Sequence, residues 1–283
     1  MKKSLKSLVA AALATVALVA FAGCGSDSIK VAVPSDPTNE GRALLLLQDQ
    51  GLITLADGVG LTATVNDIVE NPNGLEIVEM EAAAIPSAIQ DVDFAVINGN
   101  YAIGAGIDTT TALVTEGNTG EVADTYGNII AVNAGDENSP KIQALVAALS
   151  NSKVGDYING SYDGAVVPSY EAVAAIPVAT GSDTTITVGA SPAPHAEILN
   201  LVKDDLAAAG WTLVIVEFTD FIQPNVALVE GELDANYFQH ISYLNDYNAE
   251  NGTNIVSAAH IHFEPLGLYP GKTASLDGLE KVA

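Results

Sequence analysis

From residue 29 onward, apolar runs bounded by glycine, proline and asparagine alternate with longer stretches of helical period. Residues 29–33 alternate into a strand, and Pro34-Ser35-Asp36-Pro37-Thr38-Asn39 reads as a turn. A helix is expected over 40–50, stopped by Gly51 just past its end. Strands are expected at 76–80, 91–99, 128–132, 186–189, 212–218, 233–238 and 257–265. Helices are expected at 83–90, 141–149, 153–159, 195–209 and 224–230. Strand and helix alternate along the chain, which predicts an α/β fold with mostly parallel sheets. No long repeat and no heptad run is present.

Residues 169–185 break this rhythm. They are rich in Ala and Thr, hold no basic residue and have no strong period, which marks a linker. Two segments on either side of it share one design. Around residues 31–47 and 188–201, a strand runs through a proline-rich turn into a helix. In open α/β sheets, ligands bind beyond the carboxyl ends of strands, where helix N-termini offer free N–H groups. Two such corners predict two lobes facing one cleft.

The chain carries 35 acidic and 10 basic residues, for a net charge of −25. Such a field repels nucleic acid and anionic lipid headgroups, so neither DNA nor RNA is expected as a partner. The first 24 residues differ from the rest. Lys2, Lys3 and Lys6 precede an uncharged stretch over 8–21 and then Ala22-Gly23-Cys24, the pattern of a secretory signal. Cys24 is the single cysteine, so no intramolecular disulfide can form. "FAGC" resembles the lipobox of bacterial lipoproteins, with Phe21 departing from the usual Leu, so Cys24 is the expected lipidation site. Cleavage before Cys24 would remove three lysines and no acids, taking the charge from −25 to −28.

Catalytic signatures are scarce: no phosphate-binding loop, no G-x-S-x-G and no H-E-x-x-H. His260 and His262 lie two apart and would share one face of a strand, which is either the start of a metal site or a pair of satisfied histidines. No metal site and no cofactor are expected. Arg42 is the only arginine. It falls on the first turn of its helix, where the helix dipole disfavours a cation. A compensating anion is implied, either a ligand carboxylate gripped by the guanidinium fork or one of the 35 acids. Tyr237, Phe238, His240 and Tyr243 form an aromatic group at a strand end, suited to walling an apolar ligand or to ordinary core packing.

"PSDPTNEGRALLLLQDQGLI", "VINGNYA", "VGASPAPHAEIL", "EFTDFIQPNVAL" and "GELDANYFQH" together resemble the methionine-binding lipoproteins of ABC importers, the NlpA/MetQ type. The resemblance spans nearly all of residues 29–168 and 186–283. It implies a two-lobed, type II-like periplasmic-binding-protein fold with a ligand cleft between the lobes and two hinge crossovers. Carried over by motif, Arg42 would hold the ligand carboxylate, while Asn98 and Asn128 would hydrogen-bond the amino acid's polar end. Phe221 replaces the usual Tyr, and with Phe238, His240 and Tyr243 it would line the side-chain pocket. The implied function is a substrate-binding lipoprotein, not an enzyme, that delivers methionine to an ABC permease from a lipid anchor in the cell envelope. The alternatives are a methionine-containing dipeptide or another amino acid as ligand, a periplasmic enzyme on the same fold, or an adhesin with a vestigial cleft.

The order of the halves departs from the family. There the "VGASPAPH" half comes first; here it comes last, which resembles a circular permutation. The expected organisation is a signal at 1–24, a tether at 25–28, a first lobe of 29–125 completed by 266–283, and a second lobe of 126–265 containing the linker 169–185. The hinge is expected near 126–128 and 266–269. The C-terminal tail should dock on the Arg42 lobe, with Ala283 within roughly 20 Å of Ile29, the reach of a handful of extended residues.

Overall fold

The computed structural model describes residues 28–117 and 125–282. Cys24, most of the tether and Ala283 lie outside these residues. No helix among those described is long and apolar enough to cross a membrane.

The strands, in chain order, are β1 (Lys30–Pro34), β2 (Thr54–Leu55), β3 (Ile68–Glu70), β4 (Glu76–Met80), β5 (Phe94–Ile97), β6 (Val114–Thr115), β7 (Gly127–Asn133), β8 (Val167–Pro168), β9 (Thr185–Ala190), β10 (Thr212–Glu217), β11 (Ala235–His240), β12 (Ile255–Phe263) and β13 (Gly267–Pro270). They build a five-stranded sheet in the order β4-β1-β5-β13-β6, a six-stranded sheet in the order β10-β9-β11-β7-β12-β8, and the small pair β2-β3. The fold is α/β and two-lobed, one large sheet to each lobe. The chain passes between the sheets twice, from β6 to β7 and from β12 to β13.

Sheet direction is mixed rather than mostly parallel. β1 is parallel to β4 and β5, and β9 is parallel to β10 and β11. β13, β7, β12 and β8 pair antiparallel. A parallel neighbour needs a long crossover, usually a helix. β12 instead runs through a few residues straight into β13, so β13 enters the first sheet against its neighbours.

Alternation of side chains explains how both faces of each sheet are covered. Val31, Val33, Phe94 and Val96 join Leu44 and Leu47 of the first helix in one core layer. Ala32, Ala95 and Ile97 face the other way, against Ile85 and Tyr269. In the second sheet, Ile130 and Val132 pack with Ile186, Val188 and Trp211. Ile129 and Ala131 pack with Leu228 and Leu244. The C-terminal tail lies along the first sheet's lobe. Leu276 and Leu279 pack against the same core layer as Ile29, Val282 N–H donates to Gly51 O at 2.7 Å, and Asn73 pairs with the backbone of Glu280.

Several elements differ from expectation. The first helix spans Pro37–Asp49, because Asp36 caps it by accepting from Asn39 N–H and Pro37 takes the first helical position. The expected helix over 195–209 is broken into a turn and two short pieces, Glu197–Leu201 and Lys203–Ala208, interrupted at Val202. The segment near 83–90 is a chain of single helical turns. The helices Gly99–Gly104 and Ile241–Asn251 were not expected. The latter buries only Leu244, so it carries almost no apolar stripe to read. Residues 267–269 are not hinge but strand, paired with 95–97, and the second passage lies between Phe263 and Gly267.

Losing the cap should be measurable. Asp36→Ala is expected to cost about 0.5–2 kcal/mol and Asp36→Asn clearly less, since Asn caps nearly as well. Urea unfolding of the two variants checks the order.

Candidate functional site

The cleft lies where the carboxyl ends of β1, β5 and β11 meet the start of β7. Each element delivers one polar side chain there. Arg42 stands on the second turn of the helix that follows β1, not the first, because the helix begins at Pro37 rather than Glu40. Asn98 directly follows β5 at the N-cap of the helix Gly99–Gly104, yet its side chain makes no capping bond. His240 ends β11 and is paired in register with Asn128 of β7. Phe221 sits on the loop after β10. Arg42, Asn98, Asn128, Phe221, Phe238, His240 and Tyr243 all line one cavity, together with Asn39, Gly99, Asn100, Gln239 and Glu264.

Asn39 is the hub of the polar wall. Its Oδ1 accepts from Arg42 Nη1 at 3.3 Å, from Asn98 Nδ2 at 2.9 Å and from His240 Nε2 at 3.2 Å. The tautomer of His240 follows from its other nitrogen: Nδ1 accepts the Tyr243 backbone N–H at 3.1 Å, so Nε2 carries the hydrogen. Burial, reinforced by the Arg42 charge, pushes the His240 imidazole well down and keeps it neutral. Asn98 Oδ1 is buried with no hydrogen-bond partner. Asn128 Oδ1 lies 3.0 Å from His195 Nε2.

Arg42 is buried and already holds a carboxylate. Its Nε donates to Glu116 Oε1 at 3.0 Å and its Nη2 to Glu116 Oε2 at 2.5 Å. Nη2 also donates to Glu264 O at 3.3 Å, and the guanidinium carbon lies 4.1 Å above the Tyr126 ring. Burial alone would lower the guanidinium's pKa, but Glu116, with smaller contributions from Tyr126 and Glu264, offsets this and leaves it above its usual value. The acid that compensates this cation is therefore within the chain, and a ligand carboxylate would be a second partner.

Glu264 is the site's buried acid. Burial raises its pKa, opposed by neighbours that favour the anion, including His195 and the Asn100 backbone N–H. His262 Nε2 donates to Glu264 Oε1 at 2.7 Å, while the Tyr237 hydroxyl bonds His262 Nδ1, which fixes the His262 tautomer. Gly99 is needed beside it: a Cβ there would come within 2.8 Å of Glu264 Oε2. The donor atoms of His195, His262 and Glu264 fall within 4.8 Å of one another. Burial lowers both imidazoles to about 3, so they are neutral members of a hydrogen-bonded cluster. His260 does not share this environment. A β-bulge separates it from His262, and it lines a surface pocket with Val146, Ser150 and Ser169.

The remaining wall is aromatic. Phe221 lies 5.9 Å from both Phe238 and Tyr243, ring centre to ring centre, and Tyr243 OH donates to Phe221 O at 2.9 Å. The lobes touch at the mouth. Tyr101 of the first lobe stacks 4.7 Å from Phe221 of the second, and its hydroxyl donates to Thr219 O at 3.3 Å. Sequence reasoning missed Asn39, Asn100, Gln239 and Glu264. For Glu264 the signal was an acid ending the apolar run "HIHF"; for Asn39 it was an amide one helical turn before Arg42.

The chain is similar to known proteins over part of its length. The chain is 40% identical over 147 residues to the D-methionine-binding lipoprotein MetQ of Escherichia coli, covering 51% of this chain and 53% of that one. It is 39% identical over 138 residues to the membrane lipoprotein TpN32 of Treponema pallidum, covering 48% and 50%. Each match thus spans about half the relative's length. Among solved structures, a nutrient binding protein from Burkholderia cenocepacia bound to methionine is 45% identical over 48% of this chain and 57% of its own, with a TM-score of 0.45. Lipoprotein Tp32 from Treponema pallidum is 36% identical over 48% and 56%, with a TM-score of 0.43. A sequence profile described as NlpA lipoprotein matches residues 26–170 and 186–283, and the chain belongs to that family.

Proposed function

We propose that this protein is the substrate-binding lipoprotein of an ABC importer and that it holds methionine, or a closely related amino acid, in the cleft between its lobes. The observation that carries this is one cavity lined by the Arg42 guanidinium and the Asn98 amide beside an aromatic wall. A zwitterionic amino acid presents the complementary pair. Its carboxylate meets the edge of Arg42 that Glu116 leaves to the cavity, and Asn98 Oδ1, buried without a partner, accepts from its ammonium. A thioether packs favourably against ring edges, which Phe221, Phe238 and Tyr243 supply. The names of its relatives point to the same ligand. Entry requires the Tyr101–Phe221 contact to part, so binding is coupled to opening and closing of the lobes, the closed form being the one a permease recognises. Cys24, after the family's lipobox, would anchor the protein to the envelope membrane.

Calorimetry on protein freed of bound amino acids tests this. Methionine and selenomethionine should bind alike and well ahead of alanine or glutamate. Arg42→Ala should weaken methionine about 100-fold or more, because removing one partner of a buried pair costs about 3–5 kcal/mol. Tighter binding of a charged amino acid, or unchanged affinity in the variant, refutes the reading.

We also propose that the halves stand in permuted order, with lobes of 29–125 plus 266–283 and of 126–265. The support is that the family profile matches in two blocks separated by 171–185, and that the tail lies against Ile29 and Gly51. A chain rebuilt with 186–282 first, linked through a few residues to 29–168 and lacking the linker 169–185, should fold and bind methionine within about threefold of the parent. It should melt lower, since it loses the bonds from Trp211 Nε1 to Pro177 O and from Val173 N–H to Ser150 O. A rebuilt chain that remains unfolded by circular dichroism would overturn the permutation.

A further inference from the structure

Resting on the amino-acid reading above, we propose that Glu116 is a positioning residue for carboxylate recognition: it clamps one edge of Arg42 from outside the cavity so that the other edge is presented to the ligand. A guanidinium offers two edges able to grip a carboxylate, the Nε/Nη2 side and the Nη1/Nη2 end. Glu116 takes the side edge with two bonds, 3.0 Å and 2.5 Å. Among the described residues, the end edge is held by two long bonds of 3.3 Å, to Asn39 Oδ1 and Glu264 O. The partition of space matches this division. Arg42 borders both the ligand cavity and a second pocket behind it, whereas Glu116 borders only the second, with Leu45, Leu61 and Tyr126. An incoming carboxylate therefore does not displace Glu116; the guanidinium bridges the two anions.

Glu116 is itself fixed on the passage between lobes. Its N–H donates to Leu266 O at 2.9 Å, and its Oε2 accepts the Leu266 N–H at 2.8 Å. It stands immediately after β6, where the chain leaves the first sheet, and Leu266 lies between β12 and β13, where the chain returns. One carboxylate thus ties both passages to the residue that grips the ligand, and the Tyr126 ring, 4.1 Å beneath, restrains the guanidinium plane. Without Glu116 the guanidinium is free to rotate away from the orientation that faces its end edge to the ligand, so the carboxylate grip weakens and the ligand's side chain is no longer aimed at the aromatic wall.

The test compares methionine with methioninol, in which an alcohol replaces the carboxylate, on wild-type protein and on Glu116→Gln. Titration calorimetry is used for methionine, and thermal shift at millimolar ligand for methioninol. The expected result is a loss of about tenfold or more for methionine, the scale of one charge-assisted hydrogen bond, with the methioninol response changed less than about threefold. Equal losses for both ligands would make Glu116 a structural ion-pair partner only. Unchanged or tighter methionine binding would make it a bystander or a competitor, and each of these results overturns the proposal. If Glu116→Gln does not fold, Glu116→Asp serves, since the shorter acid cannot span both nitrogens and should give the same carboxylate-specific loss. Failure of the wild type to bind methionine would instead refute the ligand assignment, and the inference with it.

Discussion

A buried guanidinium has to be surrounded by acceptors, and much of the cleft is arranged around that requirement. Moving an ion of this kind out of water costs several kcal/mol even after relaxation, so Arg42 is tolerable only where its donors are met. Glu116, Asn39 and the Glu264 carbonyl meet them, and Tyr126 covers one face. These partners come from chain positions as far apart as 39 and 264. The pairing therefore closes long loops of chain and holds together the helix after β1, the end of β6 and the return between β12 and β13.

The same economy of polar groups runs through the rest of the site. Asn39 Oδ1 takes three donors, so Asn98 and His240 are oriented by the group that also orients Arg42. On the far side, the Tyr237–His262–Glu264 chain fixes the position of the Glu264 carboxyl group. Asn225, Asn236 and Gln239 bond one another beneath β11 and stiffen the strand that carries Phe238 and His240. Networks of this sort are rigid when fully satisfied. Among the described residues, Asn98 Oδ1 is buried with no partner, as are the Tyr126 hydroxyl and His195 Nδ1, so the satisfaction of the network is incomplete at the cleft.

Between the lobes the contacts are of a different kind. Tyr101 reaches Phe221 through one ring contact and Thr219 through one long hydrogen bond. Ile103 of the first lobe also packs against the second lobe's core, and His240 bonds Asn39 across the cleft, so opening has to part apolar as well as polar contacts.

The alternation of strand and helix, the α/β class, the two-lobed plan and the aromatic and amide motifs were legible in the sequence, because short-range period and turn chemistry carry that information. Strands 76–80 and 186–189 were readable as apolar runs between turn residues, and the Asp36-Pro37 start of the first helix was present in the residues though taken for a turn. The antiparallel half of each sheet was not legible, since direction depends on which sheet a strand joins after a short crossing. The helix Ile241–Asn251 was hidden because it buries only Leu244. The anion beside Arg42 was foreseeable as a need, but not as Glu116, which is 74 residues away. The sequence by itself determined that a lone guanidinium in so acidic a chain requires a partner; only the tertiary structure, by bringing β6 and the β12–β13 return against the first helix, decided which carboxylate holds it and which edge remains for the cleft.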